Sequence, residues 1–170
     1  GVLAVCTAVL AVASACYSAL LFAQAKGRDL WQSPLFIWHL LAQALTGGSA
    51  CLWMAGTVSH AGTGLARRSA WILLLSVAAS FILVLCEIVV PHAGEDARLA
   101  VRSLARGRYA PRFWILTIVL GQLLPLGLSA LFLSSVAHSG AAWMASLAAL
   151  AGLFGFEDLW VRAGQSVPLS

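Results

Sequence analysis

The sequence predicts an all-α integral membrane protein, a helical bundle with five transmembrane helices. Of its 170 residues, 61% are hydrophobic and only 9% are charged, whereas soluble domains contain about 25% charged residues. The mean hydropathy of +0.93 agrees with a membrane protein. Five apolar runs are long enough to cross a hydrocarbon core of about 30 Å. Because a segment in lipid must satisfy its own backbone hydrogen bonds, we expect each run to be a helix.

The five runs follow one another through polar connections. In the second run, Gly47, Gly48 and Gly56 predict a small-residue surface that a neighbouring helix can approach closely. In the fourth run, Pro125 lacks a backbone donor, so it leaves the carbonyl of Gly121 without its partner and should kink the helix. The bundle occupies residues 1–156, with spans at about residues 2–24, 35–57, 70–90, 113–136 and 141–156, and residues 157–170 are expected to form a cytoplasmic tail.

Lysine and arginine are distributed unequally between the connections. Eight of the ten fall on the side of the first and third connections and the C-terminal tail, whereas Arg67 and Arg68 alone fall on the other side. Basic connections stay in the cytoplasm by the positive-inside rule. The sequence therefore predicts a cytoplasmic C-terminus and an external first residue, with insertion in a bacterial inner membrane. We interpret the net charge of +4 as charge in the connections that sets the membrane topology, rather than as a sign of affinity for nucleic acid.

The third connection has a charge pattern of its own. Glu95 and Asp96 are followed by Arg98, Arg102 and Arg106 at helical spacing. Acids at the start and arginines towards the end suit the dipole of a short interfacial helix. Its arginines would meet lipid headgroups or a partner protein. A solvated basic loop is the alternative.

Polar side chains also occur inside the predicted spans. Glu87, in the stretch FILVLCEIVVPH, and His39 each lie about one turn inside the cytoplasmic end of a span, and Tyr17 lies nearly two turns in. Buried ionisable residues in membranes often mark proton or ligand paths. These three residues therefore predict a proton path, or Glu87 instead pairs with an arginine of the next loop and His39 is a packing residue. Gln122 either compensates for the missing donor of Pro125 or faces a cavity.

Histidines and cysteines do not predict a metal site, a haem site or an iron–sulfur cluster. A b-type haem needs two histidines at matching depth on different helices, but His92 follows its span while His39 lies within one. Nor is any catalytic residue predicted. The cysteines lack metal-ligand spacing and are expected to be buried, reduced thiols; they are Cys6, Cys16, Cys51 and Cys86.

Three longer motifs, taken together, resemble the NrfD/PsrC family of polysulfide-reductase-type membrane subunits. The first, YSALLFAQAKGRDLWQSPLF, covers residues 17–36, and its tyrosine, arginine and W-x-S-P sequence precede a span. The second covers residues 107–128, where GRYAPRFW leads into LGQLLPLGL. The third, FEDLWVRAGQSVPLS, covers residues 156–170. The three occur in this order through most of the chain.

This resemblance implies a subunit that exchanges electrons between membrane quinone, menaquinone or ubiquinone, and a ferredoxin-like partner with [4Fe-4S] clusters. That partner would in turn contact a catalytic subunit, often a molybdopterin enzyme, so the chain itself is expected to be a non-catalytic membrane subunit. Family members usually have eight or more spans, and this chain resembles their C-terminal portion, which fits its start at Gly1 without a methionine.

The quinone site of the family lies largely in the earlier helices, so the resemblance assigns no quinone ligand in this chain. We assign a relay or quinone-path role to Tyr17, His39, Glu87 and Gln122 from their depth and chemistry alone. The alternatives are a structural or proton-conducting subunit without its own quinone site, or a small transporter.

Overall fold

Six helices and one short 3₁₀ turn make up the parts of the chain that the structure describes. The structure is a computed structural model, and it describes residues 1–25, 29–59, 62–90, 92, 94–135 and 140–167. The 3₁₀ turn is Asp29–Gln32. Because these ranges contain no strand, the predicted all-α class is confirmed for them. The helices are α1 (Val2–Ala23), α2 (Phe36–Val58), α3 (Gly62–Val89), α4 (Glu95–Ala105), α5 (Ala110–Leu133) and α6 (Gly140–Ser166).

Four of these helices are long and apolar enough to cross a membrane, and the protein is an integral membrane protein. They are α1, α3, α5 and α6. The prediction of five transmembrane helices is not confirmed, because α2 is absent from this set. At 23 residues α2 is long enough to cross, and its buried face carries the polar side chains of His39, Gln43 and Thr46.

Helix α2 lies at the centre of the bundle. It packs against α1, α3 and α6, while α5 packs against α6 and α3. Apolar side chains form two clusters along α2. One surrounds Phe36 at its start and includes Phe113 and Trp160. The other surrounds Trp53 near its end.

Helices α5 and α6 approach each other closely at Gly121 and Gly152. A Cβ atom added to either glycine would overlap the backbone of the other, so a hydrogen side chain is required at both positions. The sequence predicted close contact at Gly47 and Gly48 instead. That prediction is wrong for these two glycines, since a Cβ atom at either position would have open space around it, whereas a Cβ atom on Gly56 would lie 3.3 Å from Leu65 of α3.

The predicted disturbance at Pro125 takes the form of a change in helical winding. Residues Phe113–Leu123 of α5 are wound as a π-helix, and the chain returns to α-helix at Leu124–Leu133. Pro125 lies in the first turn of that second part, directly after the change in winding.

Helix α6 is longer than the span predicted at residues 141–156. The residues predicted as a tail from 157 onward continue the helix to Ser166, and Leu159, Trp160 and Ala163 are buried. These apolar side chains pack into the cluster around Phe36. The last three residues of the predicted tail, 168–170, lie outside the described residues.

The cysteines do not lie in the core. All four are free thiols, and the expectation that they are buried is wrong within this chain: Cys6 and Cys51 are exposed, and Cys16 and Cys86 are half-buried. An apolar span turns as much side chain towards lipid as towards its neighbours, so an apolar run does not imply burial in protein.

Candidate functional site

A pocket of about 630 Å³, lined by both polar and apolar side chains, opens where α3 ends. The 3₁₀ turn and the segment before α2 form one wall, and the end of α3 with the start of α4 forms the other. Leu35, Val90 and Ala97 add apolar surface. The polar side chains that line the pocket are Asp29, Gln32, Ser33, Glu87 and His92.

Glu87 is the buried acid of this pocket, with only 3% of its surface exposed. Its Oε2 atom accepts a hydrogen bond from Ser33 Oγ at 3.1 Å. Its Oε1 atom lies 3.1 Å from His92 Nε2. Burying a carboxyl group is costly unless it is hydrogen-bonded or paired, and here both oxygens have a partner. The partners come from the connections before α2 and after α3.

These contacts correct the predicted surroundings of Glu87. It pairs neither with His39 nor with an arginine of the following loop. Depth along a span indicates height in the membrane but not the direction in which a side chain points. Ser33 and His92 were not identified as its partners, although His92 follows Glu87 by only five residues.

His39 is completely buried in a separate, aromatic environment. Its ring stacks on Phe156 at a centroid distance of 5.3 Å and is tilted against Trp160 at 5.9 Å. Neither ring nitrogen has a hydrogen-bond partner among the described residues. Phe156 and Trp160 also border a void of about 10 Å³ next to Glu87. This aromatic pair is therefore common to the surroundings of His39 and Glu87.

Polar groups continue along α2 beyond His39. Gln43, four residues later, lies beside Glu157 of α6, and the hydroxyl oxygens of Thr46 and Ser76 lie 3.0 Å apart. The helical spacing of His39, Gln43 and Thr46 was a signal in the sequence that these side chains share one face.

A small cavity of about 20 Å³ lies next to these groups, and Gln122 lines it. Its other polar neighbours are Gln43, Thr46 and Ser80. Gln122 therefore faces a cavity, which was one of its two predicted positions. Its Oε1 atom is buried and has no partner among the described residues. A polar cavity of this size can hold one water molecule.

Tyr17 lies apart from the other residues that were assigned to a path. It is 62% exposed on the outer surface of α1, because α1 packs mainly on α2 and buries only Ala19. The structure thus divides the four predicted path residues into three environments: Glu87 in the pocket, His39 and Gln122 inside the bundle, and Tyr17 outside.

The basic residues of the third connection lie on α4, which is the predicted short helix. Arg98 and Arg102 are exposed on it, and Arg106 caps its C-terminus. Within the described residues, no group of three or more histidine, cysteine or acidic side chains is arranged to hold a metal ion.

Comparison with known proteins relates this arrangement to one family. A family model described as NrfD_2, polysulfide reductase, matches residues 1–169. Neither a curated protein nor a solved structure matches the chain. Because the family model covers nearly the whole chain, the protein belongs to the NrfD-type polysulfide reductase family.

Proposed function

We propose that the protein is the membrane subunit of a quinone-linked oxidoreductase complex and exchanges electrons between membrane quinone and an iron–sulfur partner. Members of its family are membrane subunits of oxidoreductase complexes. The observation that carries the proposal is the buried Glu87, paired with His92 and Ser33, in a pocket at the end of a membrane helix. Ionisable groups in such positions often handle protons.

In this proposal the pocket would hold the headgroup of menaquinone or ubiquinone. Its volume of about 630 Å³ lies within the usual range of small-molecule sites. Ser33 and His92 carry hydrogen-bonding groups, and Leu35 and Val90 are apolar. A bound quinone would accept or release two electrons together with two protons.

The residues of the chain would hold and move those protons. Glu87 can carry one on its carboxyl group, and His92, in hydrogen-bonding contact with Oε1, can exchange it with the pocket. Ser33 donates to Oε2 and holds the carboxyl group in one orientation. This assignment makes Glu87 and His92 the central pair and leaves Tyr17 without a part.

The proposed partners are a ferredoxin-like subunit with [4Fe-4S] clusters and a catalytic subunit, of which a molybdopterin enzyme is one kind. The clusters belong to the partner, because the cysteines of this chain are spread over α1, α2 and α3 and do not form the runs that bind clusters. The proposed arrangement in a bacterial inner membrane has five crossings, with α2 among them, and a cytoplasmic C-terminus. The excess of arginine in the connections on the side of the C-terminus supports this arrangement.

A second candidate is a proton-conducting subunit of such a complex without its own quinone site. The observation in its favour is the buried polar face of α2, where His39, Gln43 and Thr46 follow one another inside the bundle. Gln122 and the small cavity extend this face towards α5.

The substitution Glu87→Gln tests the proposal in the purified complex. It keeps the shape and most hydrogen bonds of the side chain but removes its ability to release a proton. We expect quinone-coupled turnover to fall by about 100-fold or more, with the complex still assembled. The matched control is Glu95→Gln, which alters an exposed acid on α4 and should leave turnover unchanged.

Binding of a quinone-site inhibitor separates the two candidates. A quinone site in the pocket predicts that Ser33→Ala and Glu87→Gln weaken inhibitor binding. A conducting subunit predicts unchanged inhibitor binding but weaker proton uptake when the residues along α2 are altered. Unchanged turnover of Glu87→Gln would contradict both roles of this carboxyl group.

A further inference from the structure

Helix α4 presents two different faces. Its buried face carries Ala97, Ala100 and Leu104. Ala100 and Leu104 join the cluster around Phe36, and the helix packs against α6 and the 3₁₀ turn. The other face carries Arg98 and Arg102, both exposed. The helix is therefore held against the bundle on one side while its arginines remain available on the other.

Trp114 indicates the depth at which α4 lies. Its indole Nε1–H group donates a hydrogen bond at 3.0 Å to the carbonyl of Ala105, the last residue of α4. The indole is 41% exposed at the start of the membrane helix α5. Since such tryptophans prefer the headgroup level of a bilayer, the C-terminal end of α4 lies at that level.

A groove of about 240 Å³ runs between α4 and the last turn of α3. One side of it is apolar, and there Val89 is 76% and Val90 53% exposed. The other side is basic. The side chains that form it are Arg98, Arg102 and Arg106, with His92 at the end of the groove.

The three arginines of the groove have no acidic partner within the described residues. The ion pairs among the described residues are Glu87 with His92 and Asp158 with Arg162, and neither includes an arginine of the groove. The nearest acids in sequence, Glu95 and Asp96, stand in the first turn of α4, three and two residues before Arg98, and neither lines the groove. The groove thus combines uncompensated positive charge with exposed apolar side chains.

We propose that this groove binds a membrane phospholipid with an anionic headgroup. The lipid phosphate would lie against Arg98 and Arg102, since arginine recognises phosphate oxygens through paired N–H groups. An acyl chain of the lipid would cover Val89 and Val90. An acidic soluble protein bound to the arginines would instead leave these two apolar side chains uncovered. Basic pockets at the surface of membrane helices are known to recognise lipids in this way.

The test compares lipid binding by the full chain and by a double variant, Arg98→Gln/Arg102→Gln. Each protein is purified in detergent with the subunits that accompany it, and phosphatidylglycerol is titrated while thermal unfolding and retained lipid mass are measured. At about fivefold per basic residue, the variant should bind phosphatidylglycerol about 30-fold more weakly. Phosphatidylcholine should stabilise neither protein strongly.

The matched control is Arg67→Gln/Arg68→Gln, which removes two exposed arginines from the opposite end of α3. Its affinity for phosphatidylglycerol should equal that of the unaltered protein. If the double variant in α4 unfolds without lipid, Arg106→Gln alone provides the comparison, with an expected fivefold loss.

Three outcomes would overturn the proposal. One is equal affinity of the α4 variant and the unaltered protein for phosphatidylglycerol. Another is full stabilisation by inorganic phosphate, which would identify a free anion as the ligand. The third is loss of an accompanying subunit from the variant with lipid binding unchanged, which would identify the groove as a protein interface.

Discussion

His39 is a buried polar side chain whose surroundings are those of an apolar one. It stacks on Phe156 and contacts Trp160, and its nitrogens have no partner within the described chain. The geometry therefore favours the packing interpretation over a direct exchange of protons with Glu87. A proton-conducting role requires the imidazole group of His39, whereas a packing role requires only an aromatic ring of similar size. Substitutions of His39 can therefore separate the two roles.

Replacing His39 by phenylalanine and by alanine distinguishes packing from chemistry. His39→Phe retains an aromatic ring and removes two unpaired buried nitrogens, so we expect the free energy of unfolding to change by less than about 1 kcal/mol. His39→Ala leaves a cavity and should cost about 2–5 kcal/mol. Reversible unfolding in mixed detergent measures both, and an equal loss in the two variants would show that the nitrogens matter to stability.

Ser33 provides a second test at the level of one residue. Ser33→Ala removes the hydroxyl group that donates to Glu87 Oε2, so this buried carboxyl oxygen loses its hydrogen bond. We expect the free energy of unfolding to fall by about 1–3 kcal/mol. Ser18→Ala is the control, since the hydrogen bond of Ser18 Oγ among the described residues is to the carbonyl of Ser14 within its own helix. A loss of the same size in both variants would argue against the importance of the Glu87 contact.

At the level of the helices, the apolar runs predicted where membrane helices occur but not where they end. Helix α3 begins at Gly62, before Arg67 and Arg68, and α6 continues past Glu157 to Ser166. The end of an apolar run indicates where a helix leaves the hydrocarbon core of the membrane. The helix itself continues beyond that point as long as its side chains are packed against neighbouring elements. Trp160 and Ala163 supply that packing for α6, and their spacing was visible in the sequence although their partners were not.

The contact between Gly121 and Gly152 leads to a prediction about α5 and α6. Gly152→Ala introduces a methyl group against the backbone of α5, and because backbone cannot move aside, we expect a loss of about 3 kcal/mol or more in the free energy of unfolding. Gly127→Ala, also in α5, has open space around the new methyl group. It should be neutral or slightly stabilising, since alanine favours helix over glycine. Equal effects of the two substitutions would contradict the close approach.

For the whole molecule, the sequence predicted the all-α class and the family, and it singled out Glu87 but predicted the surroundings of that acid wrongly. Glu87 stood out because an acid in an apolar run is costly. Ser33 did not stand out, since it lies 54 residues away in a connection whose path only the fold determines. Tyr17 was placed with the others by depth alone, and the rotation of α1 about its axis leaves it on the outside.

The membrane topology can be tested with single cysteines in a background whose native cysteines are replaced by serine. Gln24→Cys follows α1 and precedes α2, Ser59→Cys follows α2, and Gln165→Cys is near the end of α6; all three positions are exposed. If α2 crosses the membrane and the C-terminus is cytoplasmic, an impermeant maleimide added to intact cells should label Ser59→Cys alone. Labelling of Gln24→Cys and Ser59→Cys from the same side would show that α2 does not cross, and labelling of Gln165→Cys from outside would contradict a cytoplasmic C-terminus.

The glycine contact between α5 and α6 also limits how the bundle can move. Where two backbones touch, sliding one helix along the other would bring a residue with a side chain into a space that admits only hydrogen. Rotation about the point of contact remains possible, while translation along the helix axes is blocked. Gly121 and Gly152 both border the cavity lined by Gln122. The α5 and α6 walls of this cavity therefore keep a fixed separation while the ends of the two helices pivot.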